Sequence, residues 1–453
     1  MDKISIKKIL KRSFFLLLLH VISSNSFAQY LRTSYFMENA TNRLQLNPAF
    51  QPTRGYIAIP VIGSFQASAS SNALGVSDVT DIINSKEDFW DNDKFFDRLK
   101  TDNRVNVNLN TNIVSLGFYR GKSFWSANIG VRADVNASIP RTMFDYLREV
   151  NNSEPIDLLG KDFSINNQQM NATVYTEIGL GYSREIIHRL TIGGRMKMLL
   201  GSANINMDMR DLKIEENLTS GTIISHGTLN VSMPGTAVET KTDDNGTEYV
   251  NKVKYDKAGV AGYGMAVDFG ATYQLLNNLK LSASIVDLGF ISWSKNSTTT
   301  AVANQERTIE YKGYGTASDG DVLDMKYMGY AIQSPKSKTT SIASTLVLGG
   351  EYTFFQNQLG LGVLSTTHFS EPKTISEFTF SANYCPKSWF NVALSYSTMQ
   401  NNRQTFGLGL KLGPVFVGTD YMFLGNSSKT KDVNAYLSIT LPLGKSRAAS
   451  RSN

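Results

Sequence analysis

The chain of 453 residues holds a single cysteine, Cys385. No internal disulfide can form, so hydrogen bonding and burial alone must hold the fold. A Cys-rich structural zinc site is excluded for the same reason. Proline is scarce, at 11 residues, and no Pro-rich hinge, Gly/Ser tract or long charge run marks a linker. The length would allow two or three ordinary domains, but nothing divides them. No segment reaches the 18 or more continuous apolar residues of a membrane-spanning helix. Histidine is rare too: His188, His226 and His368 are the only ones after residue 28. There is no P-loop, no GxSxG, no metal-ligand spacing and no Ser, His and acid set that reads as a triad. The adjacent Ser225 and His226 mean little alone. An enzyme is therefore the least supported class, and no cofactor is implied.

One-signed charge is also lacking. Residues 1–28 read as a secretory signal peptide. Lys3, Lys7, Lys8, Lys11 and Arg12 form its basic start, Phe14 to Ile22 its short apolar core, and Ser26-Phe27-Ala28 its cleavage site. Beyond it the chain carries 40 basic and 38 acidic residues. The pI near 9.0 thus mostly reports the signal, and a nucleic-acid partner gains no support.

What the sequence has in quantity is alternation. In Ser123 to Pro140, one series is Trp125, Ala127, Ile129, Val131, Ala133, Val135, Ala137 and Ile139, all apolar. The other, after Phe124, is polar or small and includes Arg132 and Asp134. Period-2 alternation predicts a strand with two unlike faces, and this one is long for a soluble protein. The pattern recurs at Met170–Tyr182, Ala261–Tyr273, Glu377–Tyr384 and Phe406–Leu412. It predicts 14 strands, near 55–70, 104–120, 123–139, 168–184, 189–205, 258–275, 278–293, 341–355, 358–368, 373–385, 388–398, 403–412, 414–424 and 433–444. Short joins, such as Gly121-Lys122 and Gly413, alternate with long ones at 71–103, 140–167, 206–257 and 294–340.

Short turns on one side and long loops on the other, with an even strand count, describe a transmembrane antiparallel up-and-down β-barrel. Even closure leaves no sheet edge to lipid. A secreted solenoid or paired soluble sandwiches would also alternate, but would favour shorter strands or need a linker. The mean hydropathy of −0.20 fits a barrel whose strands turn one face to a polar lumen. Aromatic pairs near strand ends, Phe118-Tyr119, Phe124-Trp125, Phe354-Phe355, Trp389-Phe390 and Tyr421 with Phe423, suggest girdles at the membrane surfaces. The join 206–257 contains a strand-like run and the turn signal Asp243 to Gly246, read as an extracellular hairpin. Arg141 to Val150 has helical spacing.

The same alternation sends Arg132, Asp134, Glu177, Arg195, Lys197, Asp268, Glu351, Glu377 and Asp420 to the lumen. Such charges either satisfy one another or line a selective path. Their mixed signs favour the first.

The segment before the first strand reads "LRTSYFMENATNRLQLNPAF". Its Asn47, Pro48 and Ala49 resemble the Asn-Pro-Ala element of the long-chain fatty-acid transporter (FadL-like) superfamily. With "RGYIAIPVIG", "ADVNASIP" and "VDLGFISW", the chain more closely resembles a group of Bacteroidetes outer-membrane barrels, a domain of unknown function. The resemblance spans nearly the whole chain after the signal. It implies an N-terminal hatch inside the barrel at 29–54 and a barrel at 55–444; the polar tail at 445–453, expected in the periplasm, departs from the resemblance. It implies a cell outer-membrane location, and as partners outer-membrane lipid, the barrel-assembly machinery and a small hydrophobic ligand. The function expected is a channel or transporter for small molecules. The alternative is a non-transporting accessory barrel that scaffolds a secretion or surface apparatus. Read from the residues alone, Asn47-Pro48 also makes an Asx-type turn.

Overall fold

A computed structural model describes residues 32–38, 40–59, 64–75, 77–78, 81, 90–152, 160–216, 220–242, 248–255, 259–310, 330–370, 374–399, 403–421 and 431–444. The signal peptide and the polar tail expected at the two ends lie outside these residues. Fourteen antiparallel staves form a closed barrel. They are β1 (Gly55–Ala58 and Ser64–Ser71), β2 (Asp102–Arg120), β3 (Ser123–Pro140), β4 (Asp162–Ile187), β5 (Leu190–Glu216), β6 (Gly262–Leu276), β7 (Leu279–Trp293), β8 (Lys338–Ser341 and Ser344–Phe354), β9 (Leu359–Phe369), β10 (Ile375–Lys387), β11 (Phe390–Met399), β12 (Arg403–Leu412), β13 (Val415–Thr419) and β14 (Asp432–Leu443). Each pairs with its sequence neighbours, and β14 closes on β1 through pairs such as Gly55 with Leu443 and Phe65 with Leu437. The tight turns use left-handed backbone that matches strand twist, as at Gly121 (φ 60°) and Arg189 (φ 75°).

The outer face carries a single apolar band. Leu180, Met196, Tyr263, Met265, Phe269, Phe380 and Leu394 are each at least half exposed, a state that only lipid makes favourable for so many large apolar side chains together. The band lies in the halves of the staves nearest the short turns. β4 and β5, at 26 and 27 residues, greatly exceed the 9–11 residues or so needed to cross a bilayer. Their far halves project beyond the band. There Asn204–Glu216 of β5 pairs with strand Ser220–Ser232, which pairs in turn with Thr298–Glu310. The join 206–257 therefore begins as a continuation of the wall, and only Thr236–Thr242 with Glu248–Tyr255 forms a separate hairpin. Helix α1 (Asp93–Phe96) and helix α2 (Arg141–Asn152) cover this outer sheet. Phe95, Phe144, Tyr146, Ile165, Leu212 and Ile223 pack there into an apolar core of their own.

Two phase changes in the alternation matter. In β2, Asn108 and Asn112 face inward, then Ser115 and Gly117 do, because a bulge at Ile113 shifts the register. In β7, a bulge opposite Asp268 moves the inward phase from Ser282 and Ser284 to Ile291 and Trp293. The aromatic expectation needs correcting in part. Phe118, Trp125, Phe355 and Trp389 are exposed, but Phe124 and Tyr421 are buried. Phe124 takes the inward face of β3 and packs on Tyr56 and Tyr119. Phe423 lies outside the described residues.

Ile129, on the outer face of β3, is 40% exposed. Ile129→Arg should cost about 2–4 kcal/mol, as a cation facing lipid near the midplane does. Urea titration of the barrel in vesicles checks this, and an unchanged midpoint would reverse the facing of β3.

Candidate functional site

Small barrels fill their interior with wall side chains, but a 14-stranded one is too wide for that. Here residues 32–38 and 40–52 occupy the interior. Their only regular element is a short 3-10 turn, Thr41–Gln45. Arg32, Thr33, Ser34, Tyr35, Met37 and Asn47 are fully buried. Tyr35, Phe36, Leu44, Leu46 and Phe50 pack with Phe124, Val347, Leu364, Phe416 and Tyr436 of the wall. Inward glycines make the room. A Cβ on Gly270 would come within 2.1 Å of Asn47 Oδ1, one on Gly193 within 2.3 Å of the Pro48 carbonyl, and one on Gly362 within 2.5 Å of the Phe36 ring.

Asn47 holds the C-terminal end of this segment. Its Oδ1 accepts from Ala49 N–H at 2.9 Å, closing an Asx turn. Its Nδ2 reaches the carbonyls of Ala271 and Ala283 on β6 and β7. Pro48 lies at the wall across from Gly193, and buried Ala49 follows it. Ser284 donates to the Leu46 carbonyl at 2.6 Å, and Arg195 donates to that of Leu44 at 3.2 Å. Tyr119 caps the Pro52 carbonyl.

The N-terminal end is held from the opposite wall. Arg32 pairs with Glu377 of β10 at 2.6 Å and lies over the Tyr421 ring. Asp420 accepts from the backbone of Arg32 and from the backbone and hydroxyl of Thr33. Asn434 and Tyr436 of β14 donate to the same carboxylate. Between the two ends, Asn383 donates to the Phe36 carbonyl and Tyr35 to Ser282.

Beside the segment, five staves contribute a buried ionic network. Lys197 lies 2.6 Å from Asp287, 2.8 Å from Asp268 and 3.9 Å from Glu177. Arg132 pairs with Glu177 at 2.9 Å and Asp287 at 3.4 Å. Arg195 lies 3.7 Å from Asp268, and Asn128 donates to Glu177. Three cations thus face three carboxylates, which leaves no net field. Asp287 is the member that alternation alone does not reveal. It sits at the β7 bulge with φ 61°, a left-handed backbone that Asp tolerates better than most residues, and its N–H donates to Asp268. The phase break between Ile285 and Leu288 is the sequence signal that marks it.

The lumen candidates therefore divide. Arg132, Glu177, Arg195, Lys197 and Asp268 meet in one network. Asp134 stands near it on β3, half-buried. Glu377 belongs to the Arg32 anchor. Glu351 is apart, buried beside Gly360. It lines a polar cavity of about 140 Å³ near the short turns, with Glu38, Lys280, Asn383 and Cys385. A second cavity, about 20 Å³ or one water, lies between the segment and Tyr56, Ser64 and Asn112. The histidines do not converge. His188 sits in an exposed turn, His226 on the outer sheet 4.0 Å from Asp211, and His368 is buried against Thr345. Ser225 and His226 are strand neighbours and point to opposite faces. Among the described residues no group of three or more His, Cys, Asp or Glu could hold a metal ion.

Two measurements probe this interior. Lys197→Met leaves Asp268 and Asp287 buried without their main cation and should cost about 3–5 kcal/mol. Adding Asp268→Asn should recover part of that in urea titration, whereas additive costs would show the groups to be uncoupled. At the mouth, Lys280, 2.7 Å away, holds the half-exposed Glu38 carboxyl down at about 2. A depressed acid keeps its contribution above the ordinary carboxylate range and loses it as pH falls through the lowered value. Pepsin should therefore spare residues 32–52 of the wild type at pH 4 and cut them at pH 2. Glu38→Gln should be cut at both, and equal cleavage of the two proteins at pH 4 would remove this role for the pair.

The family described as "Family of unknown function (DUF5723)" matches residues 48–420, and the chain belongs to it. No curated protein matches the sequence. Among solved structures, the Ralstonia pickettii toluene transporter TbuX is 9% identical, with 90% of this chain and 95% of that chain covered at a TM-score of 0.45. The Pseudomonas putida toluene transporter TodX is 8% identical, with 92% and 93% covered at 0.40. A Pseudomonas aeruginosa FadL homologue is 10% identical, with 75% and 66% covered at 0.27. At these scores the likeness supports no inference about cargo or mechanism. The chain is a 14-stranded antiparallel β-barrel with an outward apolar band.

Proposed function

For this member of the DUF5723 family we propose a gated outer-membrane channel for small, hydrophobic molecules, with the closed state described above and residues 32–52 as its hatch. The observation that carries this reading is the way the interior is filled. Among the described residues the segment is continuous with the wall only through β1, and no backbone–backbone hydrogen bond joins it to a stave. Its anchors are side-chain hydrogen bonds, the ion pairs Arg32–Glu377 and Glu38–Lys280, and apolar packing, so it can shift without opening the sheet. Net contributions of about 1 kcal/mol per hydrogen bond suit a part that is held and released.

The hydrophobic cargo has a separate support in β1. Six residues separate Ala58 from Phe65, whereas only Ser438 and Ile439 separate their partners on β14. The β2 bulge faces the same level. Ile57 and Ile113, both exposed to the lipid side, lie beside this register mismatch. A path beside it rewards apolar molecules, which gain on leaving water for lipid. A second reading, an accessory barrel of a secretion or surface apparatus, draws on the outer sheet and its core, which give the barrel a folded lobe away from the membrane.

Planar bilayers test the first reading. Deletion of residues 32–52 should raise conductance at least about tenfold while heat-modifiable migration shows the barrel intact. A folded deletion variant that still does not conduct, or pass a small apolar dye, would remove the channel reading and leave the accessory one.

A further inference from the structure

The charges at the short-turn rim are unevenly placed. On one side the turns and staves carry Arg54, Arg120, Lys122, Arg184 and Arg189, all exposed. The turns at Asn277-Asn278, Phe355–Gln358 and Gly413-Pro414 carry none. Arg189 is spent on a neighbouring turn, donating to Asn277 and to the Leu275 carbonyl. Arg120, Lys122 and Arg184 have no carboxylate within ion-pair distance among the described residues.

Their placement is specific. Arg120 pairs in register with Ser123, and Ser123 with Arg184. The two arginines thus flank a serine on the outer face, roughly 10 Å apart across three strands. Lys122 stands in the turn between β2 and β3. Directly above runs a second row, Phe118, Trp125 and Tyr182, register neighbours that all face outward. Trp125 and Tyr182 meet edge to face at 4.7 Å, and the Tyr182 hydroxyl lies 3.1 Å from the Ser123 hydroxyl. A cationic row beneath an aromatic row, at the edge of the lipid band, matches an anionic headgroup with its chains above.

We propose that Arg120, Lys122 and Arg184, with Ser123 and the row Phe118, Trp125 and Tyr182, form a binding site for one anionic phospholipid of the leaflet nearest the short turns. The guanidinium forks suit phosphate oxygens, and the Ser123–Tyr182 hydroxyl pair leaves one further donor. The site rests on the membrane setting of the barrel but not on transport, and the conductance assay above is independent of it.

Trp125 is itself a reporter, and the exposed Trp389 on β11 is the built-in control. The barrel is reconstituted in mixed vesicles holding brominated phosphatidylglycerol or brominated phosphatidylcholine. Differences against Trp125→Phe and Trp389→Phe isolate quenching at each position. Each cation near the surface favours anionic lipid about fivefold, so phosphatidylglycerol should be preferred at Trp125 by at least about fivefold, and by much less at Trp389. Arg120→Gln with Arg184→Gln should abolish the preference at Trp125, whereas Lys387→Gln, a charge loss elsewhere on the rim, should leave it. Heat-modifiable migration confirms that each variant is folded. Equal preference at the two tryptophans, or a Trp125 preference that survives the double substitution, would overturn the site.

Discussion

Everything in this molecule follows from the backbone having to satisfy its own hydrogen bonds where water is absent. Closure of β14 on β1 meets that demand and fixes the stave number, and the stave number fixes a width that side chains alone cannot fill. The interior then needs another occupant, and the chain uses the segment that precedes its first stave. The inward glycines on β5, β6 and β9 are the imprint of that occupant on the wall. So are the polar groups of Asp420, Asn383, Ser284 and Arg195, each turned toward a backbone atom of residues 32–46.

The interior charges obey the same constraint. Six ionised groups far from bulk water are tolerable only because three cations meet three carboxylates within ion-pair distance. Such a network adds little net stability over an apolar filling of equal shape, but removal of one member is costly. It fixes the relative level of β3 through β7 and, through the Arg195 contact with the Leu44 carbonyl, the level of the segment. The ionic network and the segment are therefore one mechanical unit.

The barrel was legible because its physics is periodic. The outward rows of β3, β6 and β10 can be read two residues at a time, and alternating join lengths give the topology. Irregularity is what hid the rest. Asp287 escapes a strict alternation because the β7 bulge changes phase just before it. The far half of β5 reads as loop because one face packs on the outer core while the other carries exposed Arg210, Lys213 and Glu215 and so loses the lipid pattern. Phe124 and Tyr421 share composition with the girdle but not its face. The pairing of Arg32 with Glu377 joins residues 345 positions apart, and no local pattern encodes that. The Asn47 turn was readable as a turn; its carbonyl partners on β6 and β7 were not.

The anchors of the interior segment also impose an order of events. The seat of Thr33 needs Asp420, and Asp420 is held in turn by Asn434 and Tyr436 on the final stave. The Thr33 end of the segment is therefore the last to find its place, because its seat is complete only once β14 has paired, whereas the Asn47 end has its partners on β5, β6 and β7. Docking of Thr33 then reports that the final stave is in place, which makes this segment a built-in signature of closure.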